Sequence, residues 1–270
     1  MSQAATGVAS GHAAIRHVEL DRPWSWLMAG WRDIVAAPGV SLAYGVLFAA
    51  IGYLVTAGMF VLDLYYLVLP MTAGFLIVGP LAAVGLYEIS RRREAGEATS
   101  FGIALTAWQR NTSQIALMGV ALLLMLILWA RVAALIFMLY FGVGNVPSID
   151  NLLVETFLTP SSLPFLVMGT VVGGVLATAT FAISAISIPL LLDRPQANVI
   201  DAIVTSIRAV LQNPKAMALW GLLIVLFIGA GLASLYLGLI VALPLIGHAT
   251  WHAYKDLVQH VDAPAGASAA

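Results

Sequence analysis

The chain has 270 residues, of which 61% are hydrophobic and only 9% charged, with a mean hydropathy of +0.97. Soluble domains carry about 25% charged residues, so this composition excludes a water-soluble fold and makes lipid the main solvent of the chain. The net charge of −1 gives no footing for nucleic acid, and the absence of cysteine excludes disulfides, iron–sulfur clusters, thiolate metal sites and thiol nucleophiles.

Residues 1–22 are polar and mixed, with Gln3, His12, Arg16, Glu19 and Asp21. They lack the apolar middle of a cleavable signal peptide, so the first span is expected to act as an uncleaved signal. A membrane domain follows over 23–260, and 261–270 reads as a flexible tail. Crossing the hydrocarbon core takes about 20 helical residues. Six runs qualify, at about 39–62, 66–90, 113–141, 163–192, 215–235 and 237–259. Backbone groups in lipid must be bonded within their own segment, so these runs are helices. The predicted fold is an all-α transmembrane six-helix bundle.

Eleven of the twelve basic residues fall in four short stretches, and only Arg131 lies elsewhere. The stretches are the N-terminus (Arg16, Arg22, Arg32), 91–110 (Arg91, Arg92, Arg93, Arg110), 194–215 (Arg194, Arg208, Lys215) and the C-terminus (Lys255). The positive-inside bias then leaves both termini in the cytoplasm of a bacterial inner membrane. The connection at 142–162 carries Asp150 and Glu155 but no basic residue, which places it outside.

The spans read as three copies of one unit. Pro38–Gly45 is PGVSLAYG, Thr112–Gly119 is TSQIALMG and Pro214–Gly221 is PKAMALWG, with Asn111 and Asn213 each one residue upstream. An amphipathic stretch precedes each: Trp24–Arg32, Phe101–Arg110 and Val199–Arg208. Each unit closes on a span containing Pro-Leu, at Pro80, Pro189 and Pro244. The unit is therefore a short interfacial helix followed by a transmembrane hairpin. Trp24, Trp26, Trp31 and Trp108 read as anchors at the membrane surface. Two small-residue stripes, Ser41-Gly45-Ala49-Gly52-Thr56 and Gly173-Ala177-Thr180-Ser184-Ser187, are expected to be helix-packing seams, the less favoured alternative being a substrate path lined by hydroxyls.

Several stretches resemble a family of bacterial integral membrane proteins, domain of unknown function 2189. They are Gly30-Trp-Arg-Asp33, Ser41-Leu-Ala-Tyr-Gly45, Gly79 through Ser90, Phe181 through Arg194 and Gly247 through Asp256. The resemblance implies a six-span inner-membrane protein with no established activity. Some members carry the label cytochrome c oxidase subunit I. A haem–copper catalytic subunit needs about six histidine ligands spread over several spans. This chain has His12, His17, His248, His252 and His260, with the first two in a polar tail. It is not such a catalytic subunit, whereas an accessory or assembly role beside a respiratory oxidase stays open.

Two places are candidates for chemistry. His248 and His252 are four apart and share a helical face. Aligning the Pro-Leu elements puts Val84, Asp193 and His248 at one position, and Glu88, Ala197 and His252 at another. Glu88, Asp193, His248 and His252 would then converge near the cytoplasmic end, as a polar or proton-relay cluster or a site for zinc or a first-row metal. The plainer reading is a headgroup-zone helix end, with Glu88 paired to Arg92 and Asp193 to Arg194. Arg131 is flanked by apolar sequence and either snorkels to the outer interface or pairs with Asp63, Asp150 or Glu155.

No cofactor is required by the sequence. The partners expected are the bilayer and other membrane subunits. Function then divides between a non-catalytic accessory or assembly subunit and a small transporter with a polar site near the cytoplasmic face. No hydrolase or phosphate-loop motif is present, so an enzyme is the less favoured class.

Overall fold

The computed structural model describes residues 14–142, 154, 159 and 162–259. Among these the regular structure is helical: α1 (Arg22–Ala36), α2 (Pro38–Val61), α3 (Val68–Ala82), α4 (Val84–Glu94), α5 (Phe101–Thr106), α6 (Thr112–Phe141), α7 (Leu163–Ser184), α8 (Ser187–Asp193), α9 (Val199–Gln212), α10 (Pro214–Ala233) and α11 (Leu239–Leu257). One antiparallel bridge joins Ile15 to Val258, with Arg16 N–H donating to the Leu257 carbonyl and Gln259 N–H to that of Ala14. The segments flanking the helical body at its two ends therefore lie side by side.

Among the described residues five stretches are long and apolar enough to cross a bilayer: Pro38–Val61, Tyr65–Glu94, Phe101–Phe141, Leu163–Asp193 and Pro214–Ala233. They coincide with five of the six expected runs. The sixth run is α11, whose first half is apolar through Ile246 and whose second half carries His248, His252, Lys255 and Asp256. That polar half is why α11 does not qualify by composition. It is instead the most enclosed helix of the fold, packed by α1, α2, α4, α8 and α10, with Trp251, Ala253, Tyr254 and Leu257 fully buried.

The breaks have local causes. Pro189 has no N–H and its ring crowds the carbonyl four residues back, at Ala185, and the helix divides there into α7 and α8. Pro80 is carried inside α3, three residues before the break at Ala83 that separates α3 from α4. Pro244 is carried inside α11. The carbonyl it releases, on Ile240, faces Gly45 of α2, where any Cβ would run into it.

Short helices precede three of the long ones, and the junctions share one backbone conformation. Ala37, Asn111 and Asn213 have φ/ψ of −134/56, −150/63 and −126/52. Asn111 donates to the carbonyls of Leu191 and Ala197. Asn213 donates to the Arg16 carbonyl and accepts from Val18 N–H. Each of these two side chains thus clamps the segment that leads toward another short helix.

The first small-residue stripe is a packing seam, as expected. Ser41 meets His248, Gly45 meets Ile240, and Gly52 lies against the Tyr236 ring. Thr56 bonds the Tyr236 hydroxyl at 2.6 Å. The second stripe departs from expectation. Gly173 touches Trp129 and Ser187 bonds the Ala202 carbonyl, but Gly173, Ala177, Thr180 and Ser184 also border a cavity. Small side chains there leave space unfilled. The turn from α10 to α11 is as tight as the sequence indicates, with Leu235 and Tyr236 both at positive φ.

Candidate functional site: a buried histidine–aspartate network

Helix α1 is amphipathic: its exposed side mixes Arg22, Ser25 and Arg32 with Trp24, Met28 and Trp31, and its buried, largely apolar side carries an acid. Trp26, Gly30 and Asp33 fall on the buried side. Gly30 brings α1 so close to α11 that a Cβ would lie 2.7 Å from the Ala249 nitrogen. That contact delivers Asp33 to the face of α11 bearing His248 and His252. Gly247, against Leu86, brings α4 in from another side and with it Ser90.

His248 is fully buried. Its Nε2 is 2.9 Å from Ser41 Oγ and its Nδ1 is 2.8 Å from Ser90 Oγ. Ser90 donates its hydrogen to Asp33 Oδ2, so its oxygen can only accept from His248 Nδ1–H. In the neutral ring Nε2 is then the acceptor and Ser41 the donor. A continuous chain runs from Ser41 through His248 and Ser90 to Asp33. His252 Nε2 meets the same Asp33 oxygen at 2.9 Å, and Arg93 Nη1 donates to the other one. His252 Nδ1 lies 3.5 Å from Glu94.

Burial alone would raise the Asp33 carboxyl. The hydrogen bonds from His252 and Ser90 and the nearby histidines outweigh it and hold the group below its ordinary value. Asp33 is the anion about which this cluster is organised.

The four sequence candidates are not gathered at one point. His248 and His252 belong to the Asp33 network. Glu88, 2% exposed, is gripped by Arg91 through both oxygens, at 2.8 and 2.9 Å, and by Arg92 at 2.8 Å, with Arg110 at 3.7 Å. The expected Glu88–Arg92 pair is present, and Arg91 is added to it. Asp193 accepts from the Tyr254 hydroxyl at 2.7 Å and lies 3.9 Å from Lys255. A further acid, Asp256, takes Arg22 Nε at 2.8 Å and Trp26 Nε1 at 2.9 Å. Trp26 is therefore buried within the fold, where its ring also meets Trp220 edge-on. It is not the surface anchor its sequence position indicates. Trp24, Trp31 and Trp108 remain exposed.

Among the described residues no three His, Asp or Glu side chains are placed to hold a metal ion. Arg131 is exposed on α6 and forms no ion pair among the described residues. Asp63 is exposed, while Asp150 and Glu155 lie outside the described residues.

Sequence reasoning missed Asp33, Ser90 and Arg93 as members of the site and favoured a packing role for Ser41. One signal was present: an acid repeating at helical spacing with Trp26 and Gly30, on a stripe otherwise fit for burial. The chemical content of the network is a set of matched donors and acceptors. The order Ser41–His248–Ser90–Asp33 resembles a nucleophile relay with a serine interposed, but Ser41 and His248 are both fully buried.

Comparison with known proteins agrees with the family resemblance. Residues 68–193 match a family described as predicted integral membrane protein, domain of unknown function 2189. That match ends before α9 and includes Glu88, Ser90 and Asp193 but not Asp33 or the two histidines. The comparisons with curated proteins and with solved structures return no match.

Proposed function

For an integral membrane protein of this family signature, we propose a non-catalytic accessory or assembly subunit of a larger inner-membrane complex, built as six spans in three hairpin units. Pairing of Ala14–Arg16 with Leu257–Gln259 favours an even number of crossings. The shared backbone of Ala37, Asn111 and Asn213 favours the repeated unit. The polar half of α11 is tolerable as a span because protein, not lipid, surrounds it. On this reading both ends lie in the cytoplasm beside the basic clusters.

The observation that carries the functional reading is the closure of the histidine–aspartate network. Asp33, Ser41, Ser90 and His248 satisfy one another inside the fold, which suits holding α1, α2, α4 and α11 together. A transporter reading would be favoured by a water-lined cavity reaching Glu88, Asp193, His248 and His252. Two cavities among the described residues, one between α3, α7 and α10 and one beside Tyr44 and Trp108, are apolar and touch none of them. Outside the network, α1 presents Trp24, Met28, Trp31 and Val35 on its free face, a surface suited to the interface and to neighbouring helices.

Affinity purification in mild detergent, with mass spectrometry and a haem spectrum, tests the proposal. A stoichiometric set of membrane partners is expected, and haem absorbance in the purified assembly would point to an oxidase. A chain that purifies alone from its native membrane contradicts it.

A further inference from the structure

The short helices close the fold into a ring. α5 packs on α2 and α4, α9 on α6, α7 and α8, and α1 on α10 and α11. In the three-unit reading, each lead-in helix thus rests on both spans of the unit before it, and α1 rests on the last unit.

Two of these junctions are tied by side chains at the start of a span. Asn213, before α10, donates to the Arg16 carbonyl at 3.0 Å and accepts from Val18 N–H at 2.8 Å, ahead of α1. Asn111, before α6, donates to the Ala197 carbonyl at 3.1 Å, and Gln114 accepts from Val199 N–H at 2.9 Å, at the start of α9. Both asparagines are buried. The matching position before α2 is Ala37, whose methyl group makes no such bond. The segment ahead of α5 is held from α4 instead. Arg92 Nη1 donates to the Ala98 carbonyl at 3.2 Å, and Arg91 and Arg92 pair with Glu97 at 3.1 and 3.4 Å. Glu97 is exposed, and ion pairs at a surface are weak.

The α5 junction differs in two more ways. α1 and α9 are regular over 15 and 14 residues, whereas α5 has six and passes into a 3-10 turn at Ala107–Asn111, with hydrogen bonds of poorer geometry. On its other side lies Gly96, at φ +68° and with nothing within 4 Å of a Cβ. A helix flanked by two such points has the form of a hinged segment. Its seat on α4 is Gly85, where the Ala104 carbonyl would lie 2.6 Å from a Cβ, so no side chain at that position keys α5 in place. A cavity of about 430 Å³ lies at the same junction, lined by Tyr44, Gly85, Leu105, Trp108 and Gly119.

We propose that α5 is a gate in this ring. It swings away from α2 about Gly96 and the 3-10 turn, widening the cavity beside Tyr44, while α1 and α9 stay closed under their asparagine clamps. The equivalence of Ala37, Asn111 and Asn213 rests on the three-unit reading, whereas the motion of α5 is measurable without it.

The chain has no cysteine, so pairs of spin labels can be placed on otherwise unaltered protein. Gly39→Cys with Gly102→Cys spans α2 and α5, Ser113→Cys with Ile200→Cys spans α6 and α9, and Lys215→Cys with Ser25→Cys spans α10 and α1. All six positions are exposed. Double electron–electron resonance on the full chain in phospholipid nanodiscs reads each distance. The α2–α5 pair should show two distances, or a distribution at least twice as wide as that of either other pair. Asn213→Ala should widen the α10–α1 distribution to match it. A single narrow α2–α5 distance, or an α10–α1 pair unmoved by Asn213→Ala, would overturn the proposal, and the first comparison decides alone if that variant does not fold. Failure of the three-unit reading shows separately, as labelling of the two ends of the chain from opposite sides of the membrane.

Discussion

His252 Nε2 lies 2.9 Å from Asp33 Oδ2, joining α11 to α1 across 219 positions of sequence. Asp33 reaches that point because Gly30 lets two backbones touch. Its carboxylate then receives Ser90, His252 and Arg93 together. The pair ties α1 to the polar half of α11, and the first predictions concern it.

Asp33→Asn keeps the shape and removes the charge. Removing one partner of a buried ion pair costs about 3–5 kcal/mol. We expect a loss near the lower end of that range, since Arg93 is partly exposed and can recover water. Thermal unfolding in detergent at pH 7, against the unaltered chain, measures it. An unchanged midpoint would mean that the network contributes nothing to stability.

The pH dependence of this penalty has a defined sign. The folded Asp33 carboxyl lies below its ordinary value, so the folded state binds its proton less readily than the unfolded chain. Its contribution is fully present above the unfolded value of about 3.9 and is lost as pH falls through the lower folded value. The Asp33→Asn difference should therefore persist above about pH 5 and shrink below about pH 4. A penalty that vanishes already at pH 5.5 would assign the effect to another group.

His248→Phe fills much of the same volume but leaves Ser41 and Ser90 without their ring partner. Unsatisfied buried polar groups cost about 1–3 kcal/mol each, so a loss of about 2–6 kcal/mol is expected. His248→Gln, which can reach one of the two serines, should recover part of it. Midpoints of the two variants decide this, and equal losses would contradict the directional chain from Ser41 to Asp33.

Glycines separate by what they face. Gly45→Ala pushes a Cβ into the Ile240 carbonyl and Gly30→Ala into the Ala249 backbone, and both should destabilise by more than 1 kcal/mol. At Gly58 and Gly169 nothing lies within 4 Å of a Cβ. Alanine at those two positions should be neutral or stabilising, by up to about 1 kcal/mol. A reversed order would refute the close approach of α1 and α2 to α11.

Much of this architecture is legible in the residues, and the reason is lipid. A span must be long, apolar and internally bonded, so five helices announce themselves, and the tight turn before Leu239 does too. The family resemblance was also visible, in stretches such as Gly79–Ser90. What was not legible is which polar side chains meet. Aligning Pro80, Pro189 and Pro244 predicts a common point for Glu88, Asp193, His248 and His252. The aligned prolines lead to different local outcomes: Pro189 follows a break, whereas Pro80 is carried within α3 and Pro244 within α11. Glu88 finds Arg91 and Arg92 on its own helix, and Asp193 finds Tyr254. The acid that does meet the histidines, Asp33, comes from a separate segment, and only the Gly30–Ala249 contact places it there. Trp26 shows the same limit: an indole at a helix start reads as an anchor until Asp256 is seen to take its N–H.

The lack of cysteine in the chain makes single-cysteine accessibility the most direct test of the account. Ala95→Cys, Gln196→Cys and Gln259→Cys sit in connections at the basic end, and Asp63→Cys and Leu235→Cys in the turns after α2 and α10. A membrane-impermeant maleimide applied to intact cells and to inverted vesicles should label the first three from the cytoplasmic side only and the last two from the outside only. Labelling of Gln259→Cys from the side opposite Ala95→Cys would mean that α11 does not complete a sixth crossing.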